Sequence, residues 1–81
     1  MSQVSVRLFA GAAEAFGETE AEVAQVTDLS GLVGELAGGD SHLLQVLNQC
    51  SFFVDGEHCR RLDTALPDQC RVDVLPPFAG G

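Results

Sequence analysis

TDLSGLVGELAGG, residues 27–39, carries the clearest periodicity in the chain. Leu29, Leu32, Val33, Leu36 and Ala37 fall at i, i+3, i+4, i+7 and i+8, which draws one apolar stripe along a helix. Thr27 or Asp28 supplies the N-cap, and Gly38 with Gly39 ends the helix. Gly31 and Gly34 inside it cost about 1 kcal/mol each relative to alanine, a cost that close packing would explain. A helix with one buried stripe needs a surface to lie on, and the flanking sequence supplies strands on both sides.

Upstream, residues 4–9 alternate: Val4, Val6 and Leu8 share one face, with Ser5, Arg7 and Phe9 on the other. Residues 11–17 form a small-residue connection in which AAEAF has room for a helical turn. Residues 20–26 read as a weaker strand, Ala21, Val23 and Gln25 facing one way and Glu22, Ala24 and Val26 the other. Downstream, Asp40 or Ser41 caps a second short helix through Leu43, Leu44, Val46 and Leu47. Residues 52–54 form a short apolar strand, Asp55 and Gly56 a hairpin turn, and residues 57–61 the return strand. Leu66 plugs the core from the connection 62–69, and residues 71–75 form the last strand with Val72 and Val74 on one face. The order β-β-α-(α)-β-β-β predicts an α+β fold, the ubiquitin-like β-grasp, with a mixed sheet packed on one main helix plus a short second helix. The domain is expected over residues 1–75, with residues 76–81 as a flexible C-terminal tail.

The 81 residues suffice for one domain and, at 46% hydrophobic, for a single small core. Twelve acidic residues stand against four arginines and no lysine, a net charge of −8. That balance argues against nucleic acid, whose phosphates need a basic face, and against docking on anionic membranes. It suits solubility and steering toward a basic partner. Cys50, Cys59 and Cys70 are odd in number, widely spaced and form no CxxC, which points to free thiols in a reducing cytoplasm. With His58, they match no common zinc or iron–sulfur spacing, so no metal is expected; His42 is read as a surface residue.

The chain closes on Pro76, Pro77, Phe78, Ala79, Gly80 and Gly81. Two prolines bias the base of this segment toward extended geometry, and the glycines are slim enough for a narrow channel. Fully extended, six residues reach roughly 20 Å. LPDQCRVDVLPPFAGG, residues 66–81, resembles the ending of the MoaD/ThiS sulfur-carrier family, and PPFAGG is more like the molybdopterin branch, the small subunit of molybdopterin synthase. VRLFAGAAEAFG, residues 6–17, is similar to that family's first strand and loop. The turn before the last strand departs from the family's acidic-Gly-acidic pattern, reading Pro67, Asp68, Gln69, Cys70.

The resemblance implies a chemistry. The Gly81 carboxylate would be adenylated by an E1-like, MoeB-like activating enzyme that uses ATP. A sulfur donor system would then displace AMP to leave a thiocarboxylate. In the molybdopterin branch, the tail would enter a large, MoaE-like synthase subunit and give its sulfur to a pterin precursor. The carrier would bind no cofactor and have no catalytic residues of its own. Activation is needed because a carboxylate is a poor electrophile, whereas an acyl-AMP has a good leaving group. Phe78 would anchor the tail in a partner groove. Phe9 and Leu75 have two readings, as an exposed apolar docking patch or as ordinary core residues. Asp73 and Glu57 would either steer a basic partner or simply keep the chain soluble. The rival readings are a sulfur carrier for thiamine, cysteine, tRNA or natural-product thiolation, a ubiquitin-like protein modifier, and a simple interaction domain.

Overall fold

The computed structural model describes residues 3–77. Phe78, Ala79, Gly80 and Gly81 lie outside the described residues. Among those described, the elements run β1 (Gln3–Leu8), α1 (Ala10–Phe16), β2 (Glu20–Ala24), α2 (Leu29–Ala37), α3 (Ser41–Asn48), β3 (Ser51–Val54), β4 (Glu57–Cys59) and β5 (Arg71–Leu75). The sheet order is β2-β1-β5-β3-β4, with β1 and β5 parallel at the centre and the remaining pairs antiparallel. This is the expected ubiquitin-like β-grasp, with the first and last strands side by side.

The helical stripe does what its spacing requires. Leu29, Leu32, Val33, Leu36 and Ala37 are all buried against the inner sheet face of Val4, Val6, Leu8, Phe52, Val54, Val72 and Val74. Asp28 is the cap, its Oδ1 accepting from the Gly31 N–H at 2.8 Å. The Leu29 and Ser30 N–H groups donate to the carbonyls of Thr64 and Leu62, at 3.1 and 2.7 Å. The long connection after β4 thus satisfies donors that a helix N-terminus leaves orphaned, and it seats Leu66 in the core. Thr27 serves that connection instead of capping, its carbonyl accepting from the Leu66 N–H at 2.8 Å. Gly38 closes α2 at φ 58°, in the left-handed region.

Local details differ from expectation or add to it. The small-residue segment is a full helix, α1, with Ala12 buried and Gly17 as its left-handed cap, because a run of alanines has high helix propensity. β2 stops at Ala24, since Gln25 turns left-handed at φ 65°. That turn sends Val26 into the core rather than onto the face of Glu22 and Ala24. In α3, capped by Asp40, Leu43 and Leu47 are buried while Leu44 points to solvent. Gly34 has nothing within 4 Å of where a Cβ would stand, so close packing is not its reason. β4 ends at Cys59, short of residue 61.

Two turns hold the last strand. Asp55 and Gly56, at φ 49° and 87°, form the left-handed pair that a two-residue hairpin demands. Asp55 also exchanges hydrogen bonds with Arg71, its N–H donating to the Arg71 carbonyl at 2.8 Å and its Oδ1 accepting from the Arg71 N–H at 2.9 Å. In the turn before β5, Gln69 takes φ 60°, a conformation glycine adopts without strain. Asp68 there accepts from the Gln3 N–H at 3.0 Å, tying the start of β1 to the turn before β5.

Candidate functional site

β5 is a central strand, so the segment that follows it leaves from a backbone clamped on both sides. Leu8 pairs with Val74, and Ser51 pairs with Leu75. One step past the β1 pairing, the Phe9 N–H donates to the Val74 carbonyl at 3.1 Å. Hydrogen bonding therefore fixes the exit direction as far as Leu75. Beyond it, Pro76 is half-buried and Pro77 exposed. Neither proline offers an N–H to continue a ladder.

The outer sheet face, opposite the helices, carries the residues beside this exit. Phe9 is 39% exposed, among the most exposed large apolar side chains described. Leu75 is half-buried, and the parallel register sets it next to Phe9 at the same end of the sheet. Phe9 is thus not a core residue, and Leu75 sits between core and surface. Register builds a continuous row across all five strands: Glu20, Arg7, Asp73, Phe53 and His58. Arg7 forks onto Asp73, Nε to Oδ1 at 3.1 Å and Nη2 to Oδ2 at 3.3 Å. The Arg7 Cζ also stands 5.6 Å from the Phe9 ring centroid, within cation–π range. Phe53 and His58 stack at 4.8 Å between centroids and 23° between planes.

The cysteines do not join this face. Burial pushes the Cys50 and Cys70 thiols up, with Asp55 adding to the effect at Cys70. Such thiols stay protonated near neutral pH and are poor nucleophiles and poor metal ligands. Among the described residues, no group of three or more His, Cys, Asp or Glu side chains is placed to hold a metal. No helix there is long and apolar enough to cross a membrane.

The ThiS family model matches residues 6–81, nearly the whole chain and its final diglycine. The chain belongs to the ThiS family. Its members are ubiquitin-like sulfur carriers without catalytic activity of their own. A chain in the complex of subunits 1 and 2 of molybdopterin-converting factor from Helicobacter pylori 26695 is 26% identical, with a TM-score of 0.71 over 98% of this chain and 99% of that one. Small archaeal modifier protein 1 from Methanosarcina acetivorans shares the fold at a TM-score of 0.84 and 24% identity, covering 100% of this chain and 98% of its own. Urm1 from Trypanosoma brucei shares it at 0.72 and 18%, covering 99% and 96%. A comparison with curated proteins returns no match.

Sequence reading reached Phe9, Leu75 and Asp73 but not Arg7 as the partner of Asp73, nor the Phe53–His58 stack. Alternation did place Arg7 and Phe9 on one face, and the Asp55–Gly56 turn does imply that Phe53 opposes His58. The missing information was the parallel register that brings residue 7 beside residue 73.

Proposed function

We propose that this chain is a sulfur carrier of molybdenum cofactor biosynthesis, the small subunit of molybdopterin synthase. The observation that carries the reading is a family match running through Gly80 and Gly81, joined to a tail of the PPFAGG form. The 26%-identical relative seen with its subunit 2 supports the choice of branch.

On this reading, an oxygen of the Gly81 carboxylate attacks the α-phosphorus of ATP on an E1-like adenylating enzyme, releasing pyrophosphate. A sulfur donor then attacks the glycyl carbonyl and expels AMP, leaving a thiocarboxylate. The large synthase subunit receives the tail and takes the sulfur for the dithiolene. This chain contributes delivery. The clamped exit of β5 aims the tail, the two prolines limit what must be ordered on docking, and Phe78, Ala79 and Gly80 thread to the reacting atom. Phe9 and Leu75 dock the partner beside the exit.

Intact mass spectrometry after incubation with ATP, the adenylating enzyme and a sulfur donor tests this. One sulfur should replace one oxygen, within the C-terminal peptide. Deleting Gly81 or adding a residue after it should abolish the gain. Thiolation of the extended chain would sink the threading argument. Conversion of the pterin precursor by the loaded chain with a large subunit distinguishes this branch from its rivals.

A further inference from the structure

The turn from β1 into α1 is made by one residue. Phe9 is still extended, at φ −120° and ψ 147°, and Ala10 follows at φ 50°, in the left-handed region. Backbone hydrogen bonds close around this step. The Leu8 N–H donates to the Thr19 carbonyl at 2.9 Å, and the Phe9 N–H to the Val74 carbonyl at 3.1 Å. The Phe9 carbonyl accepts from the Ala12 and Ala13 N–H groups, at 3.1 and 3.4 Å. Phe9 thus ends the strand and opens the helix, and the left-handed Ala10 swings the chain from one to the other.

Alanine is an unexpected residue at that turn. A Cβ disfavours positive φ, and glycine takes it without that cost. The neighbouring Gly11 has no positive φ and nothing within 4 Å of where a Cβ would stand, so its position makes no demand for glycine. The two residues stand in the reverse of the order that stability favours. What alanine supplies is restriction. With a Cβ, positive φ leaves one small well, whereas glycine populates both signs of φ. The Phe9 ring needs that restriction from its backbone. It is 39% exposed, meets the Arg7 guanidinium at 5.6 Å, and borders a hollow of about 330 Å³ shared with Ala10, Ala13 and Thr19.

We propose that Ala10 is a positioning residue for partner docking, giving up stability to fix the direction of the Phe9 side chain on the outer sheet face. The inference rests on the proposed docking at Phe9 and Leu75 and adds the residue that holds Phe9 ready for it. A ring already held in place loses less freedom when the partner closes on it, which lowers the cost of binding. Strained backbone of this kind persists where the conformation itself is used.

The experiment is ATP–pyrophosphate exchange by the adenylating enzyme, with this chain as the varied substrate, alongside thermal unfolding. Ala10→Gly should raise KM about threefold with kcat unchanged, and should not lower Tm. Amide order parameters at residues 9–11 should fall below the rigid-backbone value of about 0.85. Ala10→Asn keeps a Cβ and tolerates the left-handed region, so its KM should stay near that of the unaltered chain. Phe9→Ala should raise KM by itself, and adding Ala10→Gly to it should change KM no further, because Ala10 acts through Phe9. If Phe9→Ala raises KM while Ala10→Gly does not, docking stands and Ala10 has no part in it. If Ala10→Gly lowers Tm, its role is in folding and the proposal is overturned. A KM raised equally by Ala10→Gly with and without Phe9, or left high in Ala10→Asn, would mean that the Ala10 methyl group touches the partner itself, which also overturns it. If Phe9→Ala is neutral, the docking reading fails and this inference with it.

Discussion

Arg7 and Asp73 face each other across the parallel boundary between β1 and β5, joined by two hydrogen bonds of 3.1 and 3.3 Å. The Arg7 side chain is 45% exposed and that of Asp73 17%, so water screens much of the attraction. The geometric effect is larger than the energetic one. The fork holds the guanidinium against Phe9, beside the strand from which the tail departs.

Asp73→Asn should therefore cost little in folding, below about 1 kcal/mol as for other exposed pairs. It should weaken partner docking more visibly, because Arg7 loses its anchor next to Phe9. Urea unfolding and the KM of the adenylation reaction, measured side by side, separate the two effects. A large loss of stability with unchanged KM would show that the pair serves folding alone.

Replacing Pro76 and Pro77 with alanine should leave the body's stability unchanged, since both lie beyond the last strand. It should lower kcat/KM for thiocarboxylation. Each proline removes about 0.4–1 kcal/mol of chain entropy, so each replacement should cost roughly twofold to fivefold. An unchanged rate would mean that the tail's direction is set by the partner alone.

Two backbone positions hold unused stability. Gly34 sits mid-helix with open space where a side chain would go, so Gly34→Ala should stabilise by up to about 1 kcal/mol. Gln69 is left-handed at φ 60°, so Gln69→Gly should relieve strain of similar size, less the entropy glycine adds to the unfolded chain. For a domain of this length, 1 kcal/mol corresponds to roughly 4–8 °C in Tm. A lower Tm for Gly34→Ala would show a packing role that its surroundings do not reveal.

Stability should fall on the alkaline side. Burial raises the Cys50 and Cys70 thiols above their ordinary value of 9.0. Above that value, the unfolded chain releases protons that the folded chain retains. The contribution of these thiols is thus complete below about pH 9 and is lost as the pH climbs through the folded-state values. Cys70→Ala should flatten the slope of unfolding free energy against pH in that window, whatever it costs at neutrality. An unaltered slope would place the alkaline loss elsewhere.

The legibility of this chain divides along a physical line. The α2 stripe came through intact because all five of its residues obey one local period and all five are buried. Asp28, Asp40 and the Asp55–Gly56 turn were readable for the same reason, since caps and tight turns are chosen by a few neighbouring residues. Val26 leaves its expected face because a single left-handed residue, Gln25, breaks strand alternation, and Leu44 stays exposed because a short helix has more apolar residues than its buried stripe can hold. Of the candidate site, the chemistry of the tail rests on the letters PPFAGG, and four of those six residues lie outside the described structure.

By itself, the sequence determined the helix, the hairpins and the acidic surface, which follow from local periodicity and composition, and it carried the family resemblance in PPFAGG. Only the tertiary structure decided that β5 lies between β1 and β3, clamping the tail's exit on both sides. It also decided that Arg7 meets Asp73 and that Phe53 joins their row. Those relations join residues as many as 66 positions apart, and they arise from strand register, which depends on burying Val4, Val6, Leu8, Val72 and Val74 together in the core that the helices cover.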